Sequence, residues 1–195
     1  MQIRTWLASC WLPRRRGARR GELCALRWSD LDKKTGALTI SRSIVESQDS
    51  TLIEKDTKTH SSRRIALDSG SMAALADQRD RCQRRAKSCG ARLAESAHIF
   101  SMDPDGGRPW VPNEVTKRFI RIRRSVGLDS VRLHDLRHFT ATRLLSEGVP
   151  VRTVSGRLGH ANAATTLGVY SHFVEESDRD AAEKIGLILT PNARK

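Results

Sequence analysis

The sequence contains one tyrosine, Tyr170, so any chemistry that needs a phenol has one candidate. Its four cysteines, Cys10, Cys24, Cys82 and Cys89, show neither zinc-ligand spacing nor a dense disulfide framework. They read as free thiols of a reducing compartment. No apolar run approaches the roughly 18 residues that a membrane span requires. The basic N-terminus carries an apolar stretch from Ile3 to Leu12, but Arg4 interrupts it and no small-residue cleavage site follows. A signal peptide is not expected, and the chain is expected to be cytoplasmic and DNA-associated, with no membrane partner. Acidic residues are also scarce: 22 Asp and Glu stand against 35 Lys and Arg, a formal net charge of +13.

That excess opposes folding through self-repulsion, and it fits a polyanionic partner, above all nucleic acid. The 195 residues suffice for one sizeable domain and hardly for two, and 38% are apolar. The expected fold class is α+β: a mostly helical domain with a small three-stranded antiparallel sheet toward its N-terminal side.

Residues 1–16 have no clean helical or strand period, and Pro13 and Arg14-Arg15-Arg16 close them. From Gly17 the pattern becomes orderly. GARRGELCALRWSDLD places Leu23, Leu26 and Trp28 at near-helical spacing, giving a short helix from about Arg20 to Arg27. Short apolar runs follow at Leu38 and Ile40, Ile44-Val45, Leu52-Ile53 and Ile65-Ala66-Leu67, separated by polar turns, and they read as an antiparallel meander. Lys58 lies in the second turn, within KDTKTHSSRR. Residues 69–89 read as a helix with Met72, Leu75 and Ala76 on its apolar side, a mostly solvated second half and Gly90 as its stop.

After the loop SMDPDGGRPW, Pro112-Asn113 opens a helix that divides its faces. Val115, Phe119, Ile122 and Val126 form the apolar side, while Lys117, Arg121 and Arg124 project opposite and are candidates for phosphate contact. The helix from about His134 to Glu147 carries apolar stripes on two sides, so it is expected to insert into a core. Arg137 lies between those stripes, an expensive place unless an anion meets it. Gly148 ends this helix, Pro150 opens the next with Val151, Val154 and Leu158 buried, and Gly159 stops that one before His160. Asn162 is expected to cap a short helix carrying Leu167, Val169 and Tyr170.

Phosphodiester cleavage requires a nucleophile held in line, cations on the developing phosphoryl charge and a proton for the leaving oxygen. Arginine forks suit the second task, and Arg19 and Arg137 are the candidates. Histidine titrates near neutrality, and a lysine on a hairpin turn can protonate a 5′ alkoxide. A tyrosine becomes a useful nucleophile beside cations. None of this requires a metal or another cofactor. Each residue alone has an ordinary explanation. A lone tyrosine is usually amphipathic filler. Arg137 has Asp135 and Glu147 as nearby carboxylates, and Lys55 is as basic as Lys58.

Taken in order, GARRGEL, the hairpin TKT, HDLRH, LGH and VYSH resemble the catalytic domain of the tyrosine recombinases, the phage integrase family, over roughly residues 17–180. The resemblance implies that Arg19 and Arg137 bind the phosphate and Lys58 is the general acid. It implies that His134 assists proton transfer at Tyr170 and His160 hydrogen-bonds a non-bridging oxygen. Tyr170 would form a 3′-phosphotyrosyl link, which a 5′-hydroxyl then reverses to complete strand exchange. The implied activity is site-specific recombination or DNA integration on double-stranded DNA, with self-association as a tetramer in a synapse.

Such recombinases usually carry a separate N-terminal clamp domain, for which this chain has no room. The expected organisation is an irregular, N-terminally truncated start at 1–16, the catalytic domain at 17–180 and a tail at 181–195. The competing readings are a catalytically impaired DNA-binding remnant that lacks its core-binding domain, a type IB topoisomerase relative, and a metal-dependent nuclease using His134, Asp135 and His160.

Overall fold

The computed structural model describes residues 17–56, 62–159 and 182–186. Helix α1, Arg20–Ala25, starts at Arg19, whose backbone N–H donates to the Glu22 carboxylate at 2.7 Å. This reach-back satisfies one of the donors that every helix start leaves open. A single 3₁₀ turn, Trp28–Asp30, leads into the strands β1 (Leu31–Asp32), β2 (Ala37–Ile40), β3 (Arg42–Glu46), β4 (Leu52–Asp56) and β5 (Arg63–Ala66).

These strands do not form a meander. The three-stranded antiparallel sheet runs β1-β2-β5, with Leu38 opposite Ile65 and Ile40 opposite Arg63, while β3 and β4 form a separate hairpin. Burial explains the pairing. Leu38, Ile40 and Ile65 are all 3% exposed or less and share one face, which only the β2-β5 register can bury together. The hairpin packs elsewhere, setting Ile44 against Cys24 and Ala25 of α1.

Helix α2, Ser69–Ser88, is capped by the Asp68 carboxylate, which accepts from the Ser71 N–H at 3.0 Å. Its buried stripe runs Ser71, Leu75, Gln78, Cys82 and Ala86, so the second half is anchored along one side while Asp80, Gln83, Arg84, Lys87 and Ser88 are exposed, and Ala76 is exposed as well. Arg85 fixes this end by donating to the carbonyls of Ser101 and Asp103. The stripe closes the main core with Leu23, Leu26, Trp28, Ile99 and Phe100.

Helix α3, Pro112–Ser125, buries Phe119 and sets Val115 against the hairpin. Val126 lies beyond its end at 62% exposure, although its spacing matches the apolar side. Helices α4, Asp135–Ser146, and α5, Val151–Leu158, form a second small core from Ala141, Val154 and Leu158. Helix α4 fully buries Arg137, Thr140 and Ala141, packs Leu144 and Leu145 partly buried against the second core, and leaves Phe139 half exposed. Helix α5 returns to the sheet, where Arg157 donates to the Ala66 carbonyl at 3.1 Å and accepts at its own carbonyl from Arg63 Nε at 3.1 Å.

Candidate active site

Three of the six residues expected to do chemistry, Arg19, His134 and Arg137, are described, and all three line one cavity of about 430 Å³. Helix α1 supplies Arg19 at its N-cap, and α4 supplies His134 and Arg137 at its N-cap and first turn. Helix α3 closes the far side with Phe119 and Arg123. Arg123 donates to the Val131 carbonyl and so ties the segment before His134 to α3. Lys58, His160 and Tyr170 lie outside the described residues, as does the expected helix from Asn162.

Arg137 is 4% exposed, and its Nη1 donates to the Gly17 carbonyl. Of the two carboxylates nearby in sequence, Glu147 pairs with Arg143 at 2.9 Å, and Asp135 accepts from the Arg132 N–H at 2.7 Å. Gly17 has φ +64°, and a Cβ there would run into Leu158 Cδ2, so residue 17, α4 and α5 meet at one point.

Arg19 is about half exposed at its side chain. Its Nη1 donates to Glu22 Oε1 at 2.9 Å and its Nη2 to the Gly159 carbonyl at 3.0 Å. Gly159 immediately precedes His160. The first arginine is thereby tied to the residue that ends α5, 140 positions along the chain.

His134 stands edge-on to His138, with ring centroids 4.7 Å apart. Partial burial and the neighbouring His138 and Arg137 charges push its pKa down, which favours the neutral imidazole. A neutral ring keeps one nitrogen free to accept a proton.

Two residues of this site were not legible as such in the sequence. Glu22 is 2% exposed and takes donors from Arg19 and from both terminal nitrogens of Arg63, at 3.1 and 2.6 Å. Burial raises the Glu22 pKa, but the hydrogen bonds and charge of Arg63, joined by Arg19, outweigh it and hold the carboxyl below its ordinary value. The only signal was the position of Glu22 three residues after Arg19, and nothing in SSRR singled out Arg63.

The α3 residues expected to contact phosphate, Lys117, Arg121 and Arg124, do not line this cavity. Lys117 is exposed and paired with Glu114 at 2.7 Å, and Arg121 lines a different groove with Trp110 and Val115. Arg124 is exposed. The α3 residues at the cavity itself include Thr116, whose hydroxyl accepts from Arg20 at 2.6 Å.

The phage integrase family model matches residues 2–176. A XerC-like tyrosine recombinase of Caldanaerobacter subterraneus subsp. tengcongensis is 28% identical over 181 residues, 87% of this chain and 46% of that protein. The ICEBs1 integrase of Bacillus subtilis is 25% identical over 173 residues, 89% of this chain and 46% of its own length. The chain thus spans about half the length of these curated relatives. Among solved structures, the Tn1549 transposon integrase in complex with transposon right end DNA superposes with TM-score 0.76 at 21% identity, over 93% of this chain and 59% of that one. The XerH site-specific recombinase bound to its palindromic difH substrate gives 0.65 at 20%, over 93% and 47%. The fold is that of the tyrosine recombinase catalytic domain, and the chain belongs to the phage integrase family.

Proposed function

We propose that this chain cleaves and rejoins double-stranded DNA in site-specific recombination or integration, through a covalent phosphotyrosyl intermediate. The observation that carries the reading is the convergence of Arg19, His134 and Arg137 on one cavity, with Arg19 hydrogen-bonded to the residue before His160. Two guanidinium groups on one phosphate neutralise charge as it develops on the non-bridging oxygens. The neutral His134 accepts the phenolic proton of Tyr170 as the tyrosine oxygen bonds to phosphorus. The bond from phosphorus to the 5′ oxygen breaks, and Lys58 supplies the proton that makes a 5′-hydroxyl. His160 donates to a non-bridging oxygen. A 5′-hydroxyl of a second strand reverses these steps, so the bond energy is conserved in the protein–DNA link. The partner is duplex DNA, and exchange between two sites calls for self-association on it. Both the Tn1549 integrase and XerH were solved with DNA.

Covalent trapping tests this directly. The protein is incubated with nicked duplexes drawn from the DNA flanking its gene, which lose a short 5′-hydroxyl fragment on cleavage, and is run on a denaturing gel. A shifted band that vanishes in Tyr170→Phe, with DNA affinity retained, is the expected result. DNA binding without any band would overturn the catalytic reading and leave a DNA-binding remnant.

A further inference from the structure

Arg63 lies on β5, five residues after Lys58 and not itself a candidate from the motifs, yet its guanidinium joins three parts of the site. Nη1 and Nη2 donate to the two oxygens of Glu22, and Nε donates to the Arg157 carbonyl. Its side chain is 8% exposed, so these bonds are made away from bulk water. The flat face of the same group lies against Gly159. A Cβ built on Gly159 would come within 2.5 Å of Nη1 and 2.8 Å of Cζ. Arg19 grips the same carboxylate and the same turn from the other side, through Glu22 Oε1 and the Gly159 carbonyl.

We infer that Arg63 is a positioning residue for the reaction: it fixes Glu22 and the Arg157–Gly159 turn together, and thereby sets where Arg19 meets the scissile phosphate. The inference rests on the recombinase reading of the site. Three properties of the arginine are needed at once. It neutralises a buried carboxylate, its planar fork spans both oxygens while Nε reaches a third acceptor, and its thin face leaves room for a close backbone approach. Lysine offers the charge alone.

The test uses the full chain with Arg63→Met and Arg63→Lys. Two quantities are read: amide hydrogen exchange of peptides covering residues 156–162, and the single-turnover rate of adduct formation at saturating protein, normalised to the folded fraction. The probe is the same pool of nicked duplexes. Faster exchange at 156–162 is expected in both variants, with exchange across α2 unchanged. The adduct rate should fall at least tenfold in Arg63→Met and less in Arg63→Lys, while DNA affinity stays within twofold. A merely structural role would lower the folded fraction and leave the normalised rate alone, and that result would overturn the inference. If Arg63→Met does not fold, Arg63→Lys decides, because it keeps a cation beside Glu22: parental rate and parental exchange in that variant would refute the positioning role. If the parent forms no adduct, the recombinase reading fails by itself, and the exchange data still show whether Arg63 holds the turn.

Discussion

A guanidinium at 4% exposure has given up most of its hydration, so an anion that reaches Arg137 meets a weakly screened charge. Its bond to the Gly17 carbonyl fixes the fork before any phosphate arrives. Arg137→Ala should lower the single-turnover adduct rate by about 10²–10³-fold, the usual cost of removing a preorganised donor from a developing anion. Arg137→Lys should regain only part of that loss, since a point charge cannot replace the fork. A rate within threefold of the parent for the alanine variant would remove Arg137 from the clamp.

Glu22 gives a stability prediction with a definite sign. Its folded pKa is lowered, so its contribution is fully present above the ordinary glutamate value, about 4.3, and is lost as pH falls through the folded value. Removing one partner of a buried pair costs about 3–5 kcal/mol. Glu22→Gln should therefore unfold at clearly lower temperature than the parent at pH 6, and the gap should close as melts are taken toward pH 3. A gap independent of pH would mean that the Glu22 charge contributes nothing.

At the scale of elements, the turn between α5 and His160 depends on a residue without a side chain. Gly159 has φ +69° and faces the Arg63 guanidinium, so alanine meets two penalties. The left-handed conformation alone costs an L-residue about 1–2 kcal/mol, and the clash must move Arg63 away from Glu22. Gly159→Ala should lose at least that much stability in urea unfolding and should also slow adduct formation, whereas Gly90→Ala should lose stability only. Gly90 has a similar φ of +68° but nothing within 4 Å of its added Cβ.

The same contrast between local and long-range constraint explains what could be read in advance. Pro112, Gly148, Pro150 and Gly159 punctuate the helices locally: α3 begins at Pro112, α4 ends just before Gly148, and α5 lies between Pro150 and Gly159. The sheet could not be read that way. Alternation tells which side of β2 is buried, but its partner is β5, more than 20 residues on, with a hairpin between. Arg19, His134 and Arg137 were legible because ordered motifs carry them. Arg63 and Glu22 were not, because an arginine in SSRR and a glutamate in RRGEL look like surface charge until the fold buries one against the other.

For the whole molecule, the question is where a net charge of +13 meets DNA. The cavity accounts for Arg19, Arg20, Arg123, Arg132 and Arg137, and it leaves the outer side of α3 unused. Lys117 is paired with Glu114, but both side chains are more than half exposed, and such pairs are worth at most about 1 kcal/mol, so a phosphate can displace the carboxylate. If Lys117, Arg121 and Arg124 each meet a phosphate, binding to arbitrary duplex DNA should be strongly salt-dependent, because each neutralised phosphate releases counterions. Replacing all three by glutamine should reduce the slope of log K against log salt by about 0.9 per phosphate no longer neutralised, about 2.7 in all. Fluorescence anisotropy on a duplex of unrelated sequence, titrated between about 50 and 200 mM salt, measures it. An unchanged slope would place the DNA track on another face of the molecule. A reduced slope that Lys117→Arg, Arg121→Lys and Arg124→Lys together restore would show that α3 reads backbone charge and not base sequence, because phosphate contact tolerates either cation and bidentate base readout does not.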